Sequence, residues 1–193
     1  MFAYLFWHTP KPGVSAADYE DGLAGFAQAL RATGCVGLES AASFRISPVP
    51  WLGAGDGYED WALVAGPGVL EALNSAAVSG PMAALHGRVA DAMDVGHGGL
   101  YYRLWGDVSP LEASAGQWLT RPRGIAFRPV LEEIARSAGQ PVSVWRRFMV
   151  LGPGREFLVL GRDPLALALP PGWDGHAVRR RPIAPDAAQA RSA

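Results

Sequence analysis

Residues 58–73 read YEDWALVAGPGVLEAL, and residues 154–169 read GREFLVLGRDPLALAL, 96 positions later in a chain of 193. Each opens as an alternating strand, turns at glycine and proline, and continues into an apolar segment. The first stretch reads as a strand from Tyr58 to Ala65. A helical stretch follows from Pro67 to about Val95, broken at Ser79-Gly80-Pro81. Upstream, Phe2 to His8 alternates as a strand. Ser15 is placed to cap a helix carrying Leu23, Phe26, Ala27 and Leu30 at helical spacing, and Gly34 ends it. Ser43–Ser47 and Gly99–Trp105 supply two more strands. The order is βαββαβ, a ferredoxin-like unit.

Working downstream, the order begins again. Gln117–Arg121 reads as a strand and Phe127–Ser137 as a helix. Val142–Leu151 and Arg155–Gly161 form a hairpin around Gly152-Pro153-Gly154. A short helix is expected near Pro164–Leu169, and His176–Arg181 is the last strand. The expected division is 1–107, a first ferredoxin-like unit; 108–115, a linker; 116–182, a second, reduced unit; and 183–193, a flexible tail.

The composition, 49% hydrophobic and 18% charged, is that of a soluble globular chain. No apolar run reaches the ~18 residues that would span a bilayer. The opening MFAYLFW lacks the basic leader of a secretory signal. Cys35 is the only cysteine, so no intrachain disulfide or multi-thiolate metal site can form. We expect a cytoplasmic protein with no membrane partner. Residues 1–115 hold 5 Lys+Arg against 12 Asp+Glu, and residues 116–193 hold 12 Arg against 6 Asp+Glu. The reading we favour is attraction between the halves rather than an anionic partner.

Strand parity then sorts the side chains by face. One parity gives Phe44, Ile46, Ala62, Val64, Leu100 and Leu104, then Leu119, Val144, Phe148, Leu158, Leu160 and Val178, suited to packing on helices. The other gives Arg45, Glu59, Trp61, Tyr101, Arg103 and Trp105, then Trp118, Trp145, Arg147, Phe157 and Arg179. So many indoles on one parity imply that the two antiparallel sheets face each other across an aromatic and charged layer. The fold class expected is α+β, tandem ferredoxin-like units forming an intramolecular α/β barrel.

At EDWALVAG, the helix after it, and GGLYYRLWG, the chain resembles the dimeric α/β-barrel superfamily, with both units in one chain. That resemblance implies cofactor-free monooxygenases, haem proteins, lactone isomerases or ligand-binding and stress-related proteins. It also implies that a helix or strand histidine can act as catalytic base or haem ligand, and His86 and His8 are the candidates. The ligand-binding candidates are Arg45, Glu59, Trp61, Tyr101, Arg103, Trp145 and Arg147. Their aromatics would shape a cavity and an arginine would orient an anionic oxygen. The leading function is a small-molecule protein, a cofactor-independent monooxygenase or isomerase acting on an aromatic or anionic ligand. The alternatives are a non-enzymatic ligand-binding or stress-response module with a packed seam, and a haem-binding protein. No cofactor is expected otherwise, and either a monomer or a homodimer fits.

Other motifs lead away from chemistry. Asp91, Asp94 and His97 have weak metal spacing, and we read the acids as solvated and His97 as a helix-end residue. His97-Gly98-Gly99 has no Gly-x-Ser-x-Gly elbow to accompany it. GAGDG precedes a strand, which excludes a phosphate loop. Nucleic acid is disfavoured because no RNA-binding aromatic strand motif accompanies the arginines.

Overall fold

Ser15 accepts a hydrogen bond from the amide of Asp18 and donates to its carboxylate, which starts α1 (Ala16–Ala32) where the sequence places it. A computed structural model describes residues 1–149 and 152–184. The remaining elements are β1 (Phe2–Pro10), β2 (Leu38–Ile46), β3 (Gly57–Val64), α2 (Leu70–Val78), α3 (Met82–Ala92) and β4 (Met93–Gly106). Then come β5 (Ala115–Thr120), α4 (Arg128–Arg136), β6 (Val142–Arg147), β7 (Phe157–Gly161) and β8 (Asp174–Ile183).

The eight strands close into an antiparallel barrel in the order β1-β3-β2-β8-β5-β7-β6-β4. Read around the ring, β4-β1-β3-β2 is followed by β8-β5-β7-β6. Both halves therefore run last, first, third, second. Two junctions close the ring: β2 on β8, with Phe44 opposite Pro182, and β4 on β6, with Tyr101 opposite Arg147. Closure gives every strand a neighbour on both sides, although β2 meets β8 only at Ser43–Ile46 and β4 meets β6 only from Tyr101 to Gly106.

The barrel interior is a dry core. Trp7, Trp61, Trp118, Trp145 and Tyr101 fill it with Leu5, Phe44, Leu158 and Leu160. Trp7 meets Trp118 edge-on at 5.5 Å, and Trp61 meets Trp145 at 5.4 Å. Trp51, from the loop before β3, packs edge-on against both Trp7 and Trp118. Outside, α1, α2 and α3 cover the first half, while α4 packs on Leu119, Val144, Phe157 and Val159 of the second.

Several expectations change. Residues 164–170 form no helix; Leu165, Leu167 and Leu169 pack as extended chain over the second half. Three leucines at every second position fit that geometry, whereas two prolines flank too few residues for a helix. Asp94 and His97 lie within β4, not at a helix end. Pro182 and Ile183 belong to β8 rather than to loose chain. Residues 185–193 of the expected tail, and Val150 and Leu151 of the expected hairpin, lie outside the described residues.

The faces were also partly mixed. Phe44, Ile46, Leu158, Leu160 and Val178 point into the barrel, and Phe157 packs on α4. Arg45 and Arg179 lie outside, and a register shift between Arg103 and Trp105 turns Trp105 outward as well. Both faces of these strands are covered, β7 being buried at every residue, so hydrophobicity does not alternate.

Candidate functional site

The outer face of β1 and β3, under the helices, carries Tyr4, Phe6 and His8 from one strand and Tyr58, Asp60 and Ala62 from the other. Between this face and α1, α2 and α3 lies a cavity of ≈ 400 Å³. Apolar side chains such as Phe6, Phe26, Leu70 and Leu73 make most of its wall, with Tyr4, Ser43, Asp60, Asn74 and His86 as the polar members. Among the described residues no lysine or arginine borders it.

Asp60 anchors a buried relay. Its Oδ2 lies 3.2 Å from Nε2 of His8, a close contact without hydrogen-bond alignment. Nδ1 of His8 is 2.6 Å from the hydroxyl of Tyr19 on α1. Burial, then the charge of Asp60, pushes the Tyr19 phenol above its ordinary value. Tyr19 keeps its proton, and in the His8 tautomer protonated at Nε2 it donates to Nδ1 while Nε2–H faces Asp60. His8 is itself fully enclosed, between the rings of Phe6 and Tyr58 and against Tyr19. The other carboxylate oxygen, Oδ1 of Asp60, is buried without a hydrogen-bond partner. An acceptor in that state is costly unless something else satisfies it.

Tyr4 stands diagonally across the same sheet face from Asp60, opposite Ala62. Burial, with Asp60 nearby, raises its phenol above the ordinary value. Its ring lies over the backbone of Gly98 on β4: a Cβ there would sit 2.5 Å from the hydroxyl. Phe6 uses Gly96 in the same way, at 2.6 Å. The glycines of the His97-Gly98-Gly99 stretch thus make room for aromatic rings.

The structure places His86 of α3 on the cavity wall, its ring 6.1 Å from Phe26, whereas His8 is buried behind Asp60 and does not line the cavity. It does not bring the other candidates there, apart from Trp61, which borders it from the barrel side. Glu59, Trp61, Tyr101 and Trp145 are barrel interior. Glu59 accepts from Trp7 Nε1 at 2.9 Å, Trp61 Nε1 at 2.5 Å and Arg180 Nε at 3.0 Å. Arg45 pairs outside the barrel with Asp56 and Glu20. Arg147 donates to the carbonyls of Gly152 and Gly154. Arg103 is half-buried opposite Trp145, its amide bonded to the carbonyl of Met1.

Sequence reasoning passed over Asp60, Tyr19 and Tyr4. Asp60 had a readable signal: it shares parity with Ala62 and Val64, so it puts a carboxylate on the helix-facing side of a buried strand. Among the described residues no group of three or more His, Cys, Asp or Glu could hold a metal ion, and no helix is long and apolar enough to cross a membrane.

No family model and no curated protein matches the chain. Solved structures do. One is a protein of Fusobacterium nucleatum provisionally named a monooxygenase, with TM-score 0.61, 4% identity, and 94% of this chain and 92% of that chain covered. Another protein so named, from Lactobacillus acidophilus, gives TM-score 0.50 at 8% identity, covering 95% of this chain and 96% of that one. At such identities the likeness shows the fold alone, the dimeric α+β barrel.

Proposed function

We propose that this chain is a small-molecule enzyme that removes a proton from a largely apolar ligand held between the sheet and the helices of its first half. The observation that carries this reading is the Asp60 carboxylate, which borders an apolar cavity, has an Oδ1 with no hydrogen-bond partner among the described residues, and is backed by His8 and Tyr19. A carboxylate so placed is a general base within reach of a bound O–H or C–H. Proton removal from an activated carbon or a phenol is the shared first step of two reactions. In an isomerase the protonated Asp60 returns the proton at another atom of the ligand. In a cofactor-independent oxygenase the electron-rich anion reacts with dioxygen. The monooxygenase names of the two structural relatives favour the second reaction. The recurring strand order supports reading the chain as two fused ferredoxin-like units, of which the first bears the site.

Haem is the less favoured ligand for this cavity, because among the described residues no lysine or arginine borders it to pair with the two carboxylates. The barrel interior is a poorer ligand site, since its indoles pack edge to edge and Glu59 already accepts from Trp7, Trp61 and Arg180, although Trp118 Nε1 and Arg180 Nη2 are buried there without a hydrogen-bond partner among the described residues.

The test is an ultraviolet and oxygen-uptake screen of hydroxynaphthalenes and enolisable aryl ketones against the wild type and Asp60→Asn. Turnover lost in the variant supports the enzyme. Binding without turnover favours the second reading, a ligand-binding module. Neither binding nor turnover rejects both.

A further inference from the structure

The polar atoms of the cavity are few and of opposite kinds. The Asp60 carboxylate, a part-exposed member of the cavity wall, can only accept from a ligand, and among the described residues its Oδ1 has no hydrogen-bond partner. The Tyr4 hydroxyl lies on the same sheet face, and its ring is fixed over Gly98. Its proton stays on oxygen, so toward a ligand it donates. The remaining wall is mostly apolar, and no bordering lysine or arginine is present to balance a ligand's negative charge.

We infer that the cavity selects uncharged aromatic molecules that present a hydrogen-bond donor to Asp60 and an oxygen to Tyr4, and that it rejects carboxylates of the same size. This rests on the reading of the cavity as the ligand site. The class is that of phenols and enolisable ketones. As the substrate's proton passes to the Asp60 carboxylate, its electron pair stays on the substrate and charge grows on the substrate oxygen. Tyr4 donates to that oxygen, and no other reagent enters the step. A carboxylate ligand would instead bring a second negative charge beside Asp60 in a low-dielectric pocket. Tyr4 is then a specificity-determining residue, and Gly98 positions it.

Isothermal titration of the intact protein with naphthol, methoxynaphthalene and naphthoate tests this. The three share one ring system and differ in donor and charge. We expect naphthol to bind at least about tenfold more tightly than naphthoate, because like charges sharing a buried site repel. Methoxynaphthalene, which cannot donate, should bind roughly 3- to 10-fold more weakly than naphthol. Tyr4→Phe should weaken naphthol by a similar factor. Asp60→Asn should shrink the naphthol-to-naphthoate ratio, and a residue with a merely structural role would not move that ratio. Both variants keep the side-chain volume, and their melting temperatures check that they fold. Naphthoate binding as tightly as naphthol overturns the selectivity while leaving the cavity as a ligand site. Failure of all three probes to bind at millimolar concentration overturns the cavity reading and the selectivity with it.

Discussion

Glu59 and Arg180 are 121 residues apart in sequence and meet inside the barrel, Nε of the arginine donating to Oε1 of the glutamate at 3.0 Å. One comes from the acidic half of the chain and the other from the basic half. Two carbonyls, of Pro110 and Ala113, accept from Nη1 of the same guanidinium at 2.7 Å, and its plane lies 3.9 Å from the ring centre of Phe44. Burial lowers the Arg180 pKa, and Glu59 opposes that shift. Arg181 of β8 likewise reaches Glu20 of α1, so charge complementarity between the halves is part of barrel closure.

Removing one member should therefore strand the other. We expect Arg180→Met or Glu59→Gln to cost roughly 3–5 kcal/mol in urea unfolding. The double variant should lose less than the two single losses combined, because no buried charge is left alone. Arg147→Met, whose partners are loop carbonyls, should cost no more than about 2 kcal/mol. A double variant as unstable as the two losses added together would refute the coupling.

Alkali should unfold the protein through its tyrosines. An unfolded tyrosine titrates near 10.0, and burial first of all raises Tyr19 and Tyr101 well above that. Below pH 10 both states hold these protons, and the contribution to stability is intact. As pH rises past 10.0 the unfolded chain releases protons that the folded chain keeps, so stability falls. Melting curves taken across that range should show a falling melting temperature, with the phenolate absorbance of Tyr19 and Tyr101 appearing only on unfolding. Phenolate absorbance for all five tyrosines in the folded protein near pH 10 would contradict it.

Gly98→Ala should damage the site more than the fold. The new methyl group would lie 2.5 Å from the Tyr4 hydroxyl and 3.1 Å from two ring carbons, which forces the ring toward the cavity. Overpacking of this kind costs about 1–3 kcal/mol. Naphthol affinity should fall, and the companion change Tyr4→Ala should restore much of the stability. Unchanged affinity in Gly98→Ala would show that Tyr4 has room to move without touching the ligand.

The tryptophans offer a check on the barrel itself. Trp7, Trp61, Trp118 and Trp145 are at most 1% exposed. Their emission should be blue-shifted and resistant to acrylamide in the intact chain. A fragment of residues 1–107 would expose the outer edges of β2 and β4 together with Trp7 and Trp61, so we expect it to self-associate or aggregate. A monomeric, well-folded fragment with unchanged emission would contradict the packing.

Element order was legible because prolines and glycines separate the segments and because Ser15, Gly34 and the break at Ser79-Gly80-Pro81 act locally. The aromatic layer was legible in Trp61, Tyr101, Trp118 and Trp145. The face of Arg180 was not. In the run Arg179-Arg180-Arg181 the side chains are chemically identical, and only tertiary pairing decides which one enters the barrel. For the site, His8 and His86 stood out by residue type alone. Asp60 did not, because its cavity exists only once two strands and three helices are assembled. The arginines drew attention as ligand groups, yet Arg45 pairs with Asp56 of a loop and Glu20 of α1, and Arg147 with loop carbonyls, partners that strand periodicity does not describe.

Because the ring is closed within one polypeptide, its two halves are free to become unlike. In a barrel built from two copies of a shorter chain, every substitution lands twice, and a helix lost from one side is lost from the other. Here the first half keeps three helices over its sheet and a hollow beneath them, while the second covers its sheet with one helix and extended chain. The second half can harden into scaffold, and the first can hold an under-packed, polar-floored hollow whose instability the other side absorbs. With the hollow read as the proposed ligand site, one chain can divide site from support, where a symmetric assembly would have to compromise at both positions at once.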